Sequence, residues 1–264
     1  MMRAELKFIF FPTSPVGTYN EYQYKDFLQR ESDPYAQAKY RVVLEYLRDR
    51  PGATILNAGC GSGELSFLLA AAGHSVVGID PGAEYIALAA AGAAERGCLG
   101  RCSFRVSSIA EFAAGNKFDC VVATDVLEHI ENDAAALDQL LNLLRPGGSL
   151  IITVPALPAL FGYHDELLGH FRRYTRSSLR ALLDARPVLE VKKIRYFGFT
   201  LLPVCWLFSR YLRRPYPAAS LSGRSVSVRQ IILRLLLAFD RTVPMPLGTS
   251  LISLAVKTGE KTAD

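Results

Sequence analysis

A doubly wound α/β fold is predicted, built on a mostly parallel seven-stranded sheet with a helical insertion before the last strand. Three observations in the 264-residue sequence carry this. Short apolar runs alternate with Ala/Leu/Glu-rich helical stretches from Thr54 to Pro155. The runs are mostly β-branched and continuously apolar, as strands buried on both faces must be. The connections between them are short, which favours parallel strands with helical crossovers.

Taken in order, Tyr40, Val43, Leu44 and Leu47 recur at helical spacing, and Pro51-Gly52 stops that helix. The stretch from Tyr19 to Tyr40 carries five tyrosines, unusual for a purely surface arm. The first five strands are expected at Thr54–Ala58, Ser75–Ile79, Ser103–Val106, Phe118–Ala123 and Ser149–Val154. Glu64–Ala72, Ala83–Arg96 and Asn132–Leu144 have helix composition. A loop containing Pro158 and Gly162 follows, then a helix over Thr175–Leu183 capped by Thr175, a strand at Val188–Tyr196 and a last strand at Ser250–Lys257. Between those two strands lie a strongly apolar run, Phe199–Arg213, and an arginine-bearing amphipathic run, Val228–Phe239, both expected to be helical. The chain therefore divides into an N-terminal helical arm or lid (1–50), an α/β core (51–196), a helical insertion (197–249) and a last strand with its tail (250–264).

Composition narrows the function. Half the residues are apolar and 21% are charged, which excludes disordered, collagen-like and coiled-coil classes. Five thinly spread cysteines do not make a disulfide framework. No apolar run approaches the ~20 residues of a membrane helix, and the apolar stretch Phe8–Phe11 is too short for a signal peptide. A cytoplasmic protein is expected. The net charge of +5 conceals a division: residues 1–168 hold 13 Lys/Arg and 20 Asp/Glu, residues 169–264 hold 17 and 5. A basic C-terminal third suits an anionic partner or a coat of helix-surface arginines.

The chemistry concentrates in Ile55-Leu56-Asn57-Ala58-Gly59-Cys60-Gly61-Ser62-Gly63, a glycine turn between a strand and a helix. Such a turn lets a ligand approach the backbone closely. The dinucleotide fingerprint G-x-G-x-x-G would need glycine where Glu64 stands, so a nucleoside without phosphates fits better than a nicotinamide dinucleotide. Asp80 ends the next strand, where a carboxylate can accept from both ribose hydroxyls.

Together with Val77-Gly78-Ile79-Asp80, Phe118-Asp119-Cys120-Val121-Val122, Leu127-Glu128-His129-Ile130 and Leu144-Arg145-Pro146-Gly147-Gly148, this turn resembles the ordered motifs of class I S-adenosylmethionine-dependent methyltransferases, of the bacterial small-molecule type that includes ubiquinone and type 11 methyltransferases. The likeness covers about residues 40–155 and implies a Rossmann-like methyltransferase fold with S-adenosyl-L-methionine as cofactor. It puts Gly59, Gly61 and Gly63 beneath the methionine and ribose, Asp80 on the ribose and Pro81 beside the adenine. Cys60 would pack against the cofactor. Ser108 and Ile109 would fall in the adenine loop, and Asp125, Val126 and Leu127 near the transferred methyl. Asn57 replaces the family's usual acidic residue, and Ser107-Ser108 stands where one often contacts the adenine amino group. Tyr40 and Arg41 are candidates for the cofactor carboxylate, beside an ordinary helix-surface role.

The resemblance implies methyl transfer to a small-molecule acceptor, with oxygen preferred. An oxygen nucleophile gains from a general base, and His129, His164 and His170 are the candidates, His74 lying on the opposite side of the sheet. His164 has Asp165 beside it as an orienting carboxylate; Arg172 and Arg173 are candidates for clamping an acceptor phosphate or carboxylate. A capping or packing role competes with each. No metal site is expected: Cys98 and Cys102 have no second ligand pair. Nucleic acid is not an expected partner. The insertion reads as a lid, a dimer face, a surface resting on an anionic membrane, or a structural cover of the sheet edge. A lipid-linked or anionic acceptor would suit the membrane reading. A non-catalytic binding subunit on the same fold is the competing class.

Overall fold

The computed structural model describes residues 33–113, 115, 117–214 and 228–258. The expectations for Met1–Pro12 and for most of the tyrosine-rich stretch lie outside the described residues.

Seven strands form one sheet: β1 (Thr54–Ala58), β2 (Ser75–Asp80), β3 (Cys102–Val106), β4 (Phe118–Thr124), β5 (Leu144–Pro155), β6 (Leu189–Phe197) and β7 (Ser250–Lys257). Their order is β3-β2-β1-β4-β5-β7-β6, and only β7 runs antiparallel to its neighbours. The direction of winding reverses between β1 and β4, where open α/β sheets bind ligands at the strands' C-terminal ends. Helices α1 (Pro34–Tyr46), α2 (Glu64–Ala71), α3 (Ala83–Glu95), α4 (Asp133–Leu143), α5 (Tyr163–Leu168), α6 (Arg176–Asp184) and α7 (Val228–Thr242) flank it.

Two large apolar clusters fill the layers, one through Leu137, Leu140, Val121 and Ile152, the other through Val43, Leu47, Ile55, Leu69 and Val122. β4 supplies both because its alternate side chains face opposite layers. Thr175 caps α6 as expected, its hydroxyl accepting from Ser178 N at 2.9 Å.

Three elements differ from expectation. β5 starts five residues early: Phe118 pairs with Leu144 but Cys120 with Ser149, so Arg145–Gly148 bulges within the strand, with Gly147 at φ +75°. The stretch after Phe199 is no single α-helix. It begins as a 3-10 turn (Phe199–Leu201), makes one α-turn (Leu202–Cys205) and ends in a π-turn (Trp206–Tyr211). Pro203 removes a backbone donor early in the run. The loop after Pro155 contains α5, whose six residues are too few for a readable period.

At the bulge, the Asp119 carboxylate accepts from the backbone N and hydroxyl of Thr54 and pairs with Arg145. Partial burial alone would raise this carboxyl. The Thr54 hydrogen bonds, then the Arg145 guanidinium, outweigh it and hold the group below the usual carboxylate range. A depressed folded pKa contributes stability that is complete above the unfolded value of ~4 and is lost as pH falls through the folded value. Urea midpoints of the protein and of Asp119→Asn are therefore expected to differ at pH 6 and to converge toward pH 3.

Candidate active site

The turn from Gly59 to Gly63 leaves β1 at the switch point. Gly59 N and Cys60 N both donate to Ile79 O, at 2.8 and 2.9 Å, tying the turn to the tip of β2. Gly59 (φ +68°) and Gly63 (φ +91°) hold left-handed conformations that favour glycine. Each is also crowded: a Cβ on Gly59 would stand 2.4 Å from Val126 Cγ2, and one on Gly63 2.7 Å from the Phe67 ring. The first contact brings Val126, just beyond β4, directly over the glycine turn.

Asp80 is buried. Its Oδ2 accepts from Gly61 N and its Oδ1 from Gly82 N, both at 2.9 Å. The carboxylate braces both loops of the site. Asn57, also buried, donates from Nδ2 to Ser66 Oγ at 2.9 Å, while its Oδ1 meets no hydrogen-bond donor among the described residues. A buried acceptor left this way fits an ammonium group. Burial, then the nearby Asp80 charge, push the Cys60 thiol well up, which favours the protonated form.

The other predicted cofactor residues fall around this turn. Pro81 is exposed beside Asp80, and Ser108 is half-buried with its hydroxyl donating to Glu111 at 2.8 Å. Ile109 and Leu127 point their side chains into the core. Asp125 takes φ +55°, a left-handed conformation held by Thr153, whose hydroxyl donates to Asp125 Oδ1 at 3.0 Å.

Asp125 also forms an ion pair with Lys39 of α1, a residue that sequence reasoning missed. Tyr40 is buried in the core and Arg41 is exposed, so the cation that α1 presents to the site is Lys39. Its signal was a lysine inside the apolar stripe Ala36, Lys39, Tyr40, Val43, Leu47.

The loop after β5 is rearranged relative to expectation. Asp165 does not orient its neighbour His164, whose backbone N donates to Ser209 Oγ at 3.2 Å. Its Oδ1 instead accepts from His170 Nδ1 and from Arg173 Nε, each at 2.8 Å, and its Oδ2 from Gly162 N at 3.0 Å. Burial alone would raise the Asp165 carboxyl. The His170 hydrogen bond, followed by the charge and hydrogen bond of Arg173, outweighs burial and brings it down to about 2. Arg173 is thus a buried partner of Asp165, and Arg172 pairs with Asp133 at 3.0 Å. Phe171 N donates to Glu128 O at 2.8 Å and lays this loop against the 3-10 turn Leu127–His129. The rings of His129 and His170 meet edge-on, centroids 4.6 Å apart. His74 is buried far along the chain from this cluster, before β2, and burial lowers its pKa.

The insertion bears on the same loop. Arg213 pairs with Glu166, and Gly162 lies so close to Ser209 that a Cβ would stand 2.7 Å from Ser209 O. Helix α7 packs through Leu237 onto Val42 of α1, Phe197 and Ile252.

Comparison with known proteins agrees with this geometry. The sequence model of the methyltransferase domain family matches residues 19–186, well over half of the chain. The chain belongs to the class I S-adenosylmethionine-dependent methyltransferases. S-adenosylmethionine is the cofactor of this family.

Among curated relatives, the ubiquinone biosynthesis O-methyltransferase of Xanthomonas axonopodis is 36% identical over 126 residues, covering 46% of this chain and 52% of the relative. The mitochondrial enzyme of that name from Rattus norvegicus is 43% identical over 105 residues, covering 39% of this chain and 30% of the relative. The chain spans about half or less of these relatives' length. A putative sarcosine dimethylglycine methyltransferase from Galdieria sulphuraria superposes with a TM-score of 0.62 at 17% identity, covering 92% of both chains. These structural likenesses show the fold.

Proposed function

We propose that this methyltransferase transfers a methyl group to a hydroxyl oxygen of a small-molecule acceptor, and that the acceptor is lipid-linked or anionic and met at a membrane surface. The carrying observation is the His129–His170 pair beyond β4, with His170 fixed by Asp165. Because Nδ1–H is committed to a carboxylate, the lone pair of His170 lies on Nε2, available to a hydroxyl that must lose its proton. The relatives named for O-methylation in ubiquinone biosynthesis favour the same acceptor class.

In this reading Gly59, Gly61 and Gly63 pass beneath the methionine and ribose, Asp80 receives the ribose hydroxyls, and Asn57 Oδ1 accepts from the ammonium group. Pro81 and the backbone at Ser108 and Ile109 border the adenine. Asp125 and Val126 shape the methionine end, with Leu127 anchoring them from the core. Bound there, S-adenosylmethionine supplies an electrophilic methyl group on a sulfonium. The chain's task is to hold the acceptor oxygen in line at ~3–3.5 Å. Residues 51–196 serve as the binding core, with the described parts of the arm 1–50 and of the insertion 197–249, residues 33–50, 197–214 and 228–249, as its cover.

A specific surface supports the membrane setting. On α7, Ile231, Leu235 and Phe239, with Ile232 and Leu236 beside them, form an exposed apolar stripe at helical spacing, and Trp206 is exposed nearby in sequence on the same insertion. This stripe lies in the basic third of the chain, as binding to anionic lipid requires. Among the described residues no helix is long and apolar enough to cross a membrane, so the contact is peripheral, at the inner face.

The test uses a catechol bearing a prenyl chain, presented in phosphatidylglycerol vesicles with methyl-labelled cofactor. A labelled methyl ether is expected, and His170→Ala is expected to lower its formation at least ~100-fold. Label on nitrogen or carbon of alternative acceptors alone, or transfer indifferent to His170 and to vesicles, would overturn the reading.

A further inference from the structure

We propose that Glu128, His129 and His170 bind a divalent first-row transition-metal cation, zinc being the reference ion, at the edge of the sheet where the acceptor oxygen arrives. Each residue offers one ligand atom, and the three atoms lie within 4.8 Å of one another. Two imidazoles and one carboxylate form a donor set for zinc or iron that leaves coordination positions open for substrate. No metal is expected from local spacing, which shows Cys98 and Cys102 without a second ligand pair, whereas here the third ligand comes from a loop 41 positions beyond His129.

The surroundings are arranged as a metal site requires. His170 gives its Nδ1–H to Asp165, which fixes the tautomer and leaves Nε2 to ligate. Asp165 is itself held by Arg173 and by the backbone of Gly162. Such a carboxylate behind a ligating histidine orients the ring and raises its basicity. The whole Glu128 side chain is buried, and a carboxylate in that position is stabilised by a cation beside it. The Phe171–Glu128 backbone hydrogen bond and the edge-on ring contact already clamp the two ligand-bearing segments together. Donors on a tetrahedral zinc with bonds of ~2.0–2.1 Å stand ~3.3 Å apart, so the cluster contracts by at most ~1.5 Å. His129 is half-buried on a short 3-10 turn, where a rotamer change can accomplish this.

One net positive charge would remain on the site, attracting an oxygen anion. A hydroxyl on the open position becomes more acidic, as zinc-bound water does, and its proton passes to solvent water. The inference rests on the oxygen-acceptor reading and changes one role within it: His170 Nε2 ligates the cation instead of taking the proton itself, and the cation acidifies that oxygen.

The experiment titrates Co2+ into the chelator-treated full chain, followed by the visible absorption of nitrogen- and oxygen-ligated cobalt, with Zn2+ as competitor. One Co2+ per chain is expected, and Zn2+ should raise the melting temperature. His129→Ala and His170→Gln should each weaken Co2+ binding about 100-fold and abolish the thermal shift. Should His170→Gln not fold, His129→Ala decides, its side chain being half-buried. Absence of Co2+ uptake by the unaltered chain, or equal uptake by the variants, overturns the proposal. So does full-rate methyl ether formation by the chelator-treated protein, which leaves the oxygen-acceptor reading standing. No methyl ether despite bound metal overturns that reading alone.

Discussion

Asp80→Ala is expected to weaken S-adenosylmethionine binding by at least about 100-fold, measured calorimetrically on the purified chain. The carboxylate accepts two backbone hydrogen bonds, from Gly61 and Gly82, and is buried beneath the turn. Hydrogen bonds to a charged acceptor are worth ~1.5–3 kcal/mol each. Their loss frees both loops that shape the nucleoside seat, and the ribose loses an acceptor at the same time. Even half of that total reaching the ligand gives ~3 kcal/mol, or about two decades in Kd. Asp80→Asn keeps one acceptor oxygen and should fall between the two. Binding by Asp80→Ala as tight as that of the unaltered chain would place the seat elsewhere.

The second large effect is on stability. Asp165→Ala is expected to cost ~3–5 kcal/mol, because it takes the carboxylate away from the buried guanidinium of Arg173 and from the His170 and Gly162 donors. At this chain length that lowers the melting temperature by about 10 °C. The double variant Asp165→Ala/Arg173→Met removes both charges and should recover the part of the loss that comes from the guanidinium. The exposed pair of Arg180 and Asp184 on α6 makes the contrast. It is shorter, at 2.6 Å, yet about half exposed on both sides, and breaking it should move the melting temperature by a degree or two at most. Thermal unfolding of the three variants separates these expectations.

Both effects trace to features of different legibility. The sheet could be read almost strand by strand, because buried parallel strands write continuous apolar runs. Thr54–Ala58 and Ser250–Lys257 are observed with their expected bounds. The glycine turn and Asp80 were equally legible, since a strand, a turn and the next strand tip are local in sequence.

What escaped depends on distance along the chain. Lys39 meets Asp125 across 86 positions, and nothing in the local pattern announces a partner. Asp165 was read with His164 because they are neighbours in sequence. One turn of α5 carries them apart and closes Asp165 on His170 and Arg173 instead. The same closure ties Arg173 to Asp165 and brings His170 beside Glu128 and His129.

The position of β7 bears on how the chain is made. Among the described residues β7 is the one strand that β6 hydrogen-bonds to, and β7 is synthesised more than fifty residues later. On the ribosome, Leu189–Phe197 therefore emerges with no neighbour to receive its backbone groups, and waits until Ser250–Lys257 slides between it and β5. Glu190, Lys192, Lys193 and Arg195 keep that waiting segment from pairing with other nascent chains. Completion of the sheet therefore waits for Ser250–Lys257: premature termination anywhere in the insertion leaves two open edges, β5 and an orphaned β6, and a product fit for degradation.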